Sequence, residues 1–263
     1  MHFIDTHAHL TDPRFQEDYL AVVERARTAG VTTIINVAYD VPSSRAVVAL
    51  AEQTKDFYAA IGIHPHDAKT ASEAAWQELR KLATRNKVVA VGEIGLDYYY
   101  NHSSVAEQAS ALRSQVRLAR ELSLPIIIHD RDAHEDVLTI LREEKAGEVG
   151  GVMHCFSGDW DFAQRCLELG FYISLAGPVT FKKPGDLPRV AQKVPLARLL
   201  IETDSPYLAP VPCRGKRNEP AHVVHVAKMV AQLRNLELAE VAVATSLNAR
   251  QLFSLDKFTT SMS

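Results

Sequence analysis

The chain begins its first ordered run with Phe3-Ile4-Asp5-Thr6-His7-Ala8-His9, a short apolar stretch that ends in two histidines one residue apart. In a strand, alternate side chains share a face, so His7 and His9 are expected to point the same way, with Asp5 one layer deeper. A dinucleotide-binding fold would place its glycine fingerprint at this turn, and His7-Ala8-His9 stands there instead. Further β-branched runs follow at Thr32–Ala38, Phe57–His64, Val88–Leu96, Pro125–Asp130, Gly151–Phe156, Phe171–Ala176 and Leu199–Asp204.

Helical periodicity fills the gaps. Over Ser104–Ser123, Val105, Ala109, Leu112, Val116 and Ala119 recur at steps of four and three and draw one apolar stripe. Ala71–Arg85, Ala133–Lys145 and Asp159–Leu169 read the same way, and Gly30 and Gly170 supply left-handed helix ends before the next strand. Eight strands alternating with helices over 263 residues predict an α/β fold with a closed parallel sheet, a single (β/α)8 TIM barrel filling one domain from 1 to 263. Two helices are expected after the last strand, Glu219–Arg234 and Leu238–Phe253, the second an extra C-terminal helix packed on the barrel. Asp256–Ser263 are expected to fray.

Composition narrows the class. Hydrophobic residues make up 47% and charged residues 23% of the chain, which is the balance of a globular protein. Lys plus Arg number 29 against 32 Asp plus Glu, a net charge of −3, so a globally basic nucleic-acid coat is excluded. Cys155, Cys166 and Cys213 form no CxxC pair, which suits a reducing compartment. No signal-peptide pattern and no apolar run of about 18 residues is present. A cytoplasmic monomer with no membrane partner is expected.

A barrel builds its active site at the C-terminal ends of its strands, and the polar residues there form a pattern. Besides His7 and His9, strand four ends at Glu93, strand five at His129, strand six at His154, and strand eight at Glu202-Thr203-Asp204. Burying several ionisable groups in one barrel mouth is costly unless cations compensate them. Imidazole and carboxylate are donors for zinc, manganese, iron or nickel. Six donors exceed one tetrahedral ion but suit two ions about 3.5–4 Å apart that share a carboxylate. On this reading His7 and His9 hold one ion, His129 and His154 hold the other, and Glu93 bridges. Asp204 stands at the edge as a proton carrier for the attacking water, which makes a hydrolase.

Other residues on that face are candidates for the substrate. His64, with His66, and Arg131 are candidates for a phosphate. Glu202, one layer below Asp204, is expected to orient a ligand. Lys182, Lys183, Arg214, Lys216 and Arg217 place cations in the loops after strands seven and eight, and Tyr98, Tyr99, Phe181 and Tyr207 are candidates for base stacking. His2, His102, His134, His222 and His225 read as structural or surface residues.

Several spaced motifs occur in order: FIDTHAHL at Phe3–Leu10, GIHPH at Gly62–His66, GEIGLDYY at Gly92–Tyr99, IIIHDR at Ile126–Arg131, HCFSG at His154–Gly158 and ETDSPYL at Glu202–Leu208. Through them nearly the whole chain resembles the TatD family of metal-dependent hydrolases, among the amidohydrolase-like barrels. The resemblance implies a TIM barrel, divalent metal, and deoxyribonuclease activity on DNA, single-stranded or at 3′ ends and exonucleolytic from the 3′ end. The family's metal ligands carry over to His7, His9, Glu93, His129, His154 and Asp204, with Glu93 standing where related barrels use a carboxylated lysine. The family's nuclease activity implies magnesium, whereas four imidazoles favour zinc or manganese. The alternatives are a metal-dependent ester or amide hydrolase, such as one that removes misattached amino acids from tRNA, and a barrel that holds metal without turnover.

Overall fold

The computed structural model describes residues 1–258. Its sheet contains β1 (Phe3–Ala8), β2 (Val31–Val37), β3 (Phe57–Ile61), β4 (Val88–Asp97), β5 (Ile126–Arg131), β6 (Gly151–Met153), β7 (Tyr172–Leu175) and β8 (Leu199–Ile201). The strands pair in chain order and all in parallel. Past β8 the chain turns against β1. The Asp204 N–H donates to the His7 carbonyl at 2.9 Å, the His9 N–H donates to the Ser205 carbonyl at 2.8 Å, and Ala8 bridges Ser205. The sheet is thereby a nearly closed barrel.

The connecting helices are α1 (Tyr19–Thr28), α2 (Val41–Gln53), α3 (Glu73–Ala83), α4 (Val105–Leu122), α5 (His134–Glu143), α6 (Trp160–Glu168), α7 (Leu187–Lys193) and α8 (Val223–Arg234). They cover the outer face of the sheet, as the buried residues show by alternating between two packed sets. Ile34 and Ala38 of the β2 region face the helices with Leu112 and Val116 of α4, while Ile35 and Val37 fill the barrel with Ile4, Ala90, Ile127 and Leu200. α4 begins where its sequence places it. The Ser104 hydroxyl accepts from the Glu107 N–H and the Glu107 carboxylate accepts from the Ser104 N–H, so two otherwise unpaired donors are satisfied. Gly30 and Gly170 close α1 and α6 at φ of +90° and +86°.

The extra helix, α9 (Leu238–Phe253), has the predicted bounds. Its Asn248 side chain donates to the Leu196 and Leu199 carbonyls at the start of β8, and Ala249 and Phe253 join the interior set, so α9 seals the N-terminal end. α8 starts four residues later than expected, because Pro220–His222 form a tight 3-10 turn first. Asp256–Phe258 also belong to a 3-10 turn rather than a frayed end; the remainder of that expected segment lies outside the described residues. Among the described residues no helix is long and apolar enough to cross a membrane.

Candidate metal centre

Strands β3, β6 and β8 end their ladders earlier than the sequence suggests, and this leaves His64, His154 and Asp204 just beyond paired backbone. Each is still tied to a neighbour. The His64 N–H donates to the Tyr39 carbonyl, the His154 N–H to the Ile128 carbonyl, and the Asp204 N–H to the His7 carbonyl. β1 and β4 each carry a bulge at the ligand position. From Asp5↔Ile34 to Ala8↔Asn36, β1 advances three residues against two on β2, and from Val91↔Ile126 to Ile94↔Ile128, β4 does the same against β5. A bulge re-aims side chains, so strict alternation fails at these two points.

The consequence for β1 departs from the alternation expected of it. His7 and His9 do converge, with their Nε2 atoms 3.2 Å apart. Asp5 does not lie beneath them on the same face. Its carboxylate accepts from the Thr203 hydroxyl at 2.6 Å and the Thr203 N–H at 2.9 Å, bracing the seam between β1 and the segment after β8. Complete burial lifts the Asp5 carboxyl to about 8 despite these bonds.

Glu93 occupies the centre, and its two oxygens face different histidines. Oε2 lies 3.4 Å from His7 Nε2 and 3.9 Å from His9 Nε2. Oε1 lies 2.8 Å from His129 Nδ1, 3.3 Å from His154 Nε2 and 3.6 Å from His64 Nε2. Asp204 sits in the left-handed region, φ +57°, and its Oδ1 is 3.4 Å from His9 Nε2 and 3.8 Å from His7 Nε2. Among the described residues three ligand-like groupings result: His7, His9 and Asp204; His7, His154 and Glu202; and His64, Glu93 and His129.

The outer nitrogens of three of these rings have close partners, whereas His7 Nδ1 is buried with no hydrogen-bond partner. His9 Nδ1 lies 2.9 Å from the Val37 carbonyl, which can only accept, so the proton sits on Nδ1 and the Nε2 lone pair faces the cluster. His154 Nδ1 is 2.7 Å from Glu202, and His129 Nε2 is 3.0 Å from Asp97. Asp97 is a residue the sequence reading did not single out. It follows Glu93 and Gly95 at alternate positions of β4, and that spacing is the signal that could have found it.

The electrostatics call for a cation. Glu93, Asp97, Glu202 and Asp204 are carboxylates in one largely buried mouth, and among the described residues their ion-pair partners are histidines, with no Lys or Arg. Burial opposes ionisation of Glu93, yet His154, His64 and His129 hold its carboxyl well below the usual range. Burial likewise opposes the charged form of His129, but Asp97 and Glu93 bring it up to about 9. Protons on imidazole thus stand where divalent charge would balance the acids, and the donor set fits such ions.

The remaining expected residues divide. His64 is buried within the cluster, and its Nδ1 accepts from the His66 N–H. Arg131 stands outside, exposed, with its guanidinium carbon 4.9 Å from the Tyr99 ring centre. Lys182, Lys183 and Lys216 are exposed, but Arg217 is neutralised by Asp18 at 2.7 Å, and Arg214 lies on the Phe181 ring at 4.0 Å. His134 and His222 are structural as expected, bonded to Asp130 and Asn218. His102 is exposed, stacks on Tyr100 and meets His66 edge-on.

Gly95, between Glu93 and Asp97, makes the strand geometry possible. A Cβ there would fall 1.8 Å from the His129 carbonyl oxygen, and φ is +152°. Gly95→Ala is expected to cost roughly 3–5 kcal/mol through overlap and strain, lowering the melting temperature by about 10 °C in a thermal scan. Wild-type melting of this variant would mean that the two strands can separate freely at the site.

A nearly closed parallel barrel whose strand ends gather histidines and carboxylates defines a metal-dependent hydrolase. The family model described as TatD related DNase matches residues 4–254. A Bacillus subtilis protein described as the uncharacterized metal-dependent hydrolase YabD is 46% identical over 254 residues, covering 96% of this chain and 99% of that protein. The 3'-5' ssDNA/RNA exonuclease TatD of Klebsiella pneumoniae is 37% identical, covering 96% and 98%. The crystal structure of YJJV, a TatD homologue from Escherichia coli K12, superposes with a TM-score of 0.90 at 36% identity, covering 96% and 98%. The chain belongs to the TatD-related DNase family, and it is a metal-dependent hydrolase of the DNase type.

Proposed function

We propose that the protein hydrolyses phosphodiester bonds of single-stranded DNA from the 3′ end with two divalent ions. The observation that carries this reading is the orientation of Glu93, one oxygen toward His7 and His9 and the other toward His129 and His154. His7 and His9 would hold one ion, His129 and His154 the other, with Glu93 between them and Asp204 beside the first. Bound there, divalent ions neutralise charge on the attacking and departing oxygens and make water acidic enough to react near neutral pH.

This chain's own groups do the rest. Asp204 Oδ1, close to the His9 and His7 nitrogens, takes the proton of the attacking water and passes it to the leaving 3′ oxygen. His64 Nε2, beside Glu93, donates to a non-bridging phosphate oxygen, and Arg131 binds the next phosphate from the rim. Glu202 and Asp97 fix the His154 and His129 rings so that neither must reorient during turnover. Three free cysteines agree with action in the cytoplasm.

The test is metal stripping followed by restoration of magnesium, manganese or zinc one at a time, with 5′-labelled single-stranded DNA, blunt duplex and an aminoacyl ester offered in parallel. The expected result is a ladder shortening from the 3′ end of the single strand, absent after stripping and restored by at least one ion. Cleavage of the ester alone would replace the DNA reading by the ester-hydrolase one. Loss of no activity on complete stripping would end both.

A further inference from the structure

Two exposed aromatic walls flank the cluster. Tyr99 and Tyr100 are 60% and 59% exposed, their rings 4.9 Å apart and edge-on, and Tyr100 lies 5.4 Å from His66. Their N–H groups both donate to Asp97 Oδ1, at 3.1 and 2.8 Å, and Oδ2 of the same carboxylate holds His129. The other wall is Tyr207 and Tyr39, whose ring centres lie 6.1 and 6.4 Å from that of His9. The Tyr207 N–H donates to the Asp204 carbonyl at 2.8 Å. One wall therefore leans on the His129 side of Glu93 and the other on the His9 side. Tyr98 and Phe181 contribute to neither: Tyr98 is bonded to Asp136, and among the described residues Phe181 makes no ring contact with the cluster's histidines.

The walls differ in charge. Arg14 rests on Tyr207 at 4.3 Å but is spent in a two-pronged pair with Asp12, at 2.8 Å for each bond. Arg131 rests on Tyr99, and among the described residues no carboxylate pairs with it. A guanidinium stacked on a ring and otherwise free is positioned for a phosphate oxygen.

We infer that the bases on either side of the scissile phosphate stack on different walls, the terminal one on Tyr207 and Tyr39 and the adjoining one on Tyr99 and Tyr100. This rests on the nuclease reading above and adds the path of the strand. A leaving terminal nucleotide brings no further phosphate, whereas the retained strand brings one per residue, so the retained strand runs past the unpaired cation, Arg131. Both bases must be splayed to reach walls on the two sides of Glu93, and a paired duplex end denies them that freedom. The preference for unpaired ends follows from this geometry.

The test uses single-stranded oligonucleotides that are intact, or carry one abasic tetrahydrofuran residue at the terminal or the adjoining position. Stacking of one base contributes about 1–3 kcal/mol, so Tyr99→Ala is expected to raise KM on the intact strand between about fivefold and a hundredfold, with kcat changed less. On the strand abasic at the adjoining position it should add nothing, and Tyr99→Phe should behave as wild type. Tyr207→Ala should couple in the same way to the terminal position only. Independent penalties, or coupling to the opposite positions, would overturn the assignment. Fluorescence anisotropy of the same labelled strands, measured in chelator, reads the walls without turnover. A wild type that binds with this coupling yet cleaves nothing would refute the nuclease reading and leave the walls standing.

Discussion

Glu93→Gln leaves a folded barrel that turns over at least about 10³-fold more slowly and carries fewer than two divalent ions per chain. The amide keeps the shape of the carboxylate but replaces one charged acceptor by a donor, and both oxygens of Glu93 now face ring nitrogens. Whichever oxygen becomes nitrogen, one histidine pair loses its anionic partner. An interaction that neutralises charge at both the attacking and the departing oxygen is worth several kcal/mol, which sets the expected loss. Metal content by plasma mass spectrometry and kcat on single-stranded DNA check the two halves together. A Gln variant with full metal content and normal rate would remove Glu93 from the bridging role.

Asp204→Asn separates chemistry from metal loading. Asp204 is more exposed than the cluster's other carboxylates, and four imidazoles with Glu93 remain when it is neutralised. Metal content should change little, while kcat falls by about 10²–10⁴-fold, the range for loss of a general base. On the proposed role of Asp204, which has it meet the attacking water rather than the strand, KM should stay near its wild-type value. A variant that loses metal and rate in proportion would make Asp204 a ligand first, and an unimpaired variant would remove it from the mechanism.

The convergence of the candidate ligands was legible in the sequence because the barrel does most of the arranging. Once eight parallel strands are recognised, the C-terminal end of each must open on one mouth, so His7, His9, Glu93, His129, His154 and Asp204 could be gathered without coordinates. Details that depend on neighbours across the sheet were not legible. The bulges in β1 and β4 add a residue on one strand only, and periodicity along a single strand cannot register them. This is why Asp5 was expected beneath the histidines and is found at the seam with Thr203. Arg217 was counted among the cations facing the substrate, but its partner Asp18 lies nearly the whole chain away in sequence. Asp97 stayed hidden because a carboxylate at a strand end is ordinary until its two oxygens are seen to serve two histidines, His129 and His66, and two backbone N–H groups.

The backbone bond from Asp204 to His7 joins the last strand of the ring to the first. The groups that meet at His9 therefore come from opposite ends of a chain that grows in one direction. A chain that still lacks β8 can set Glu93 beside these histidines but not Asp204. The set of donors is complete only when the end of the last strand has joined the first.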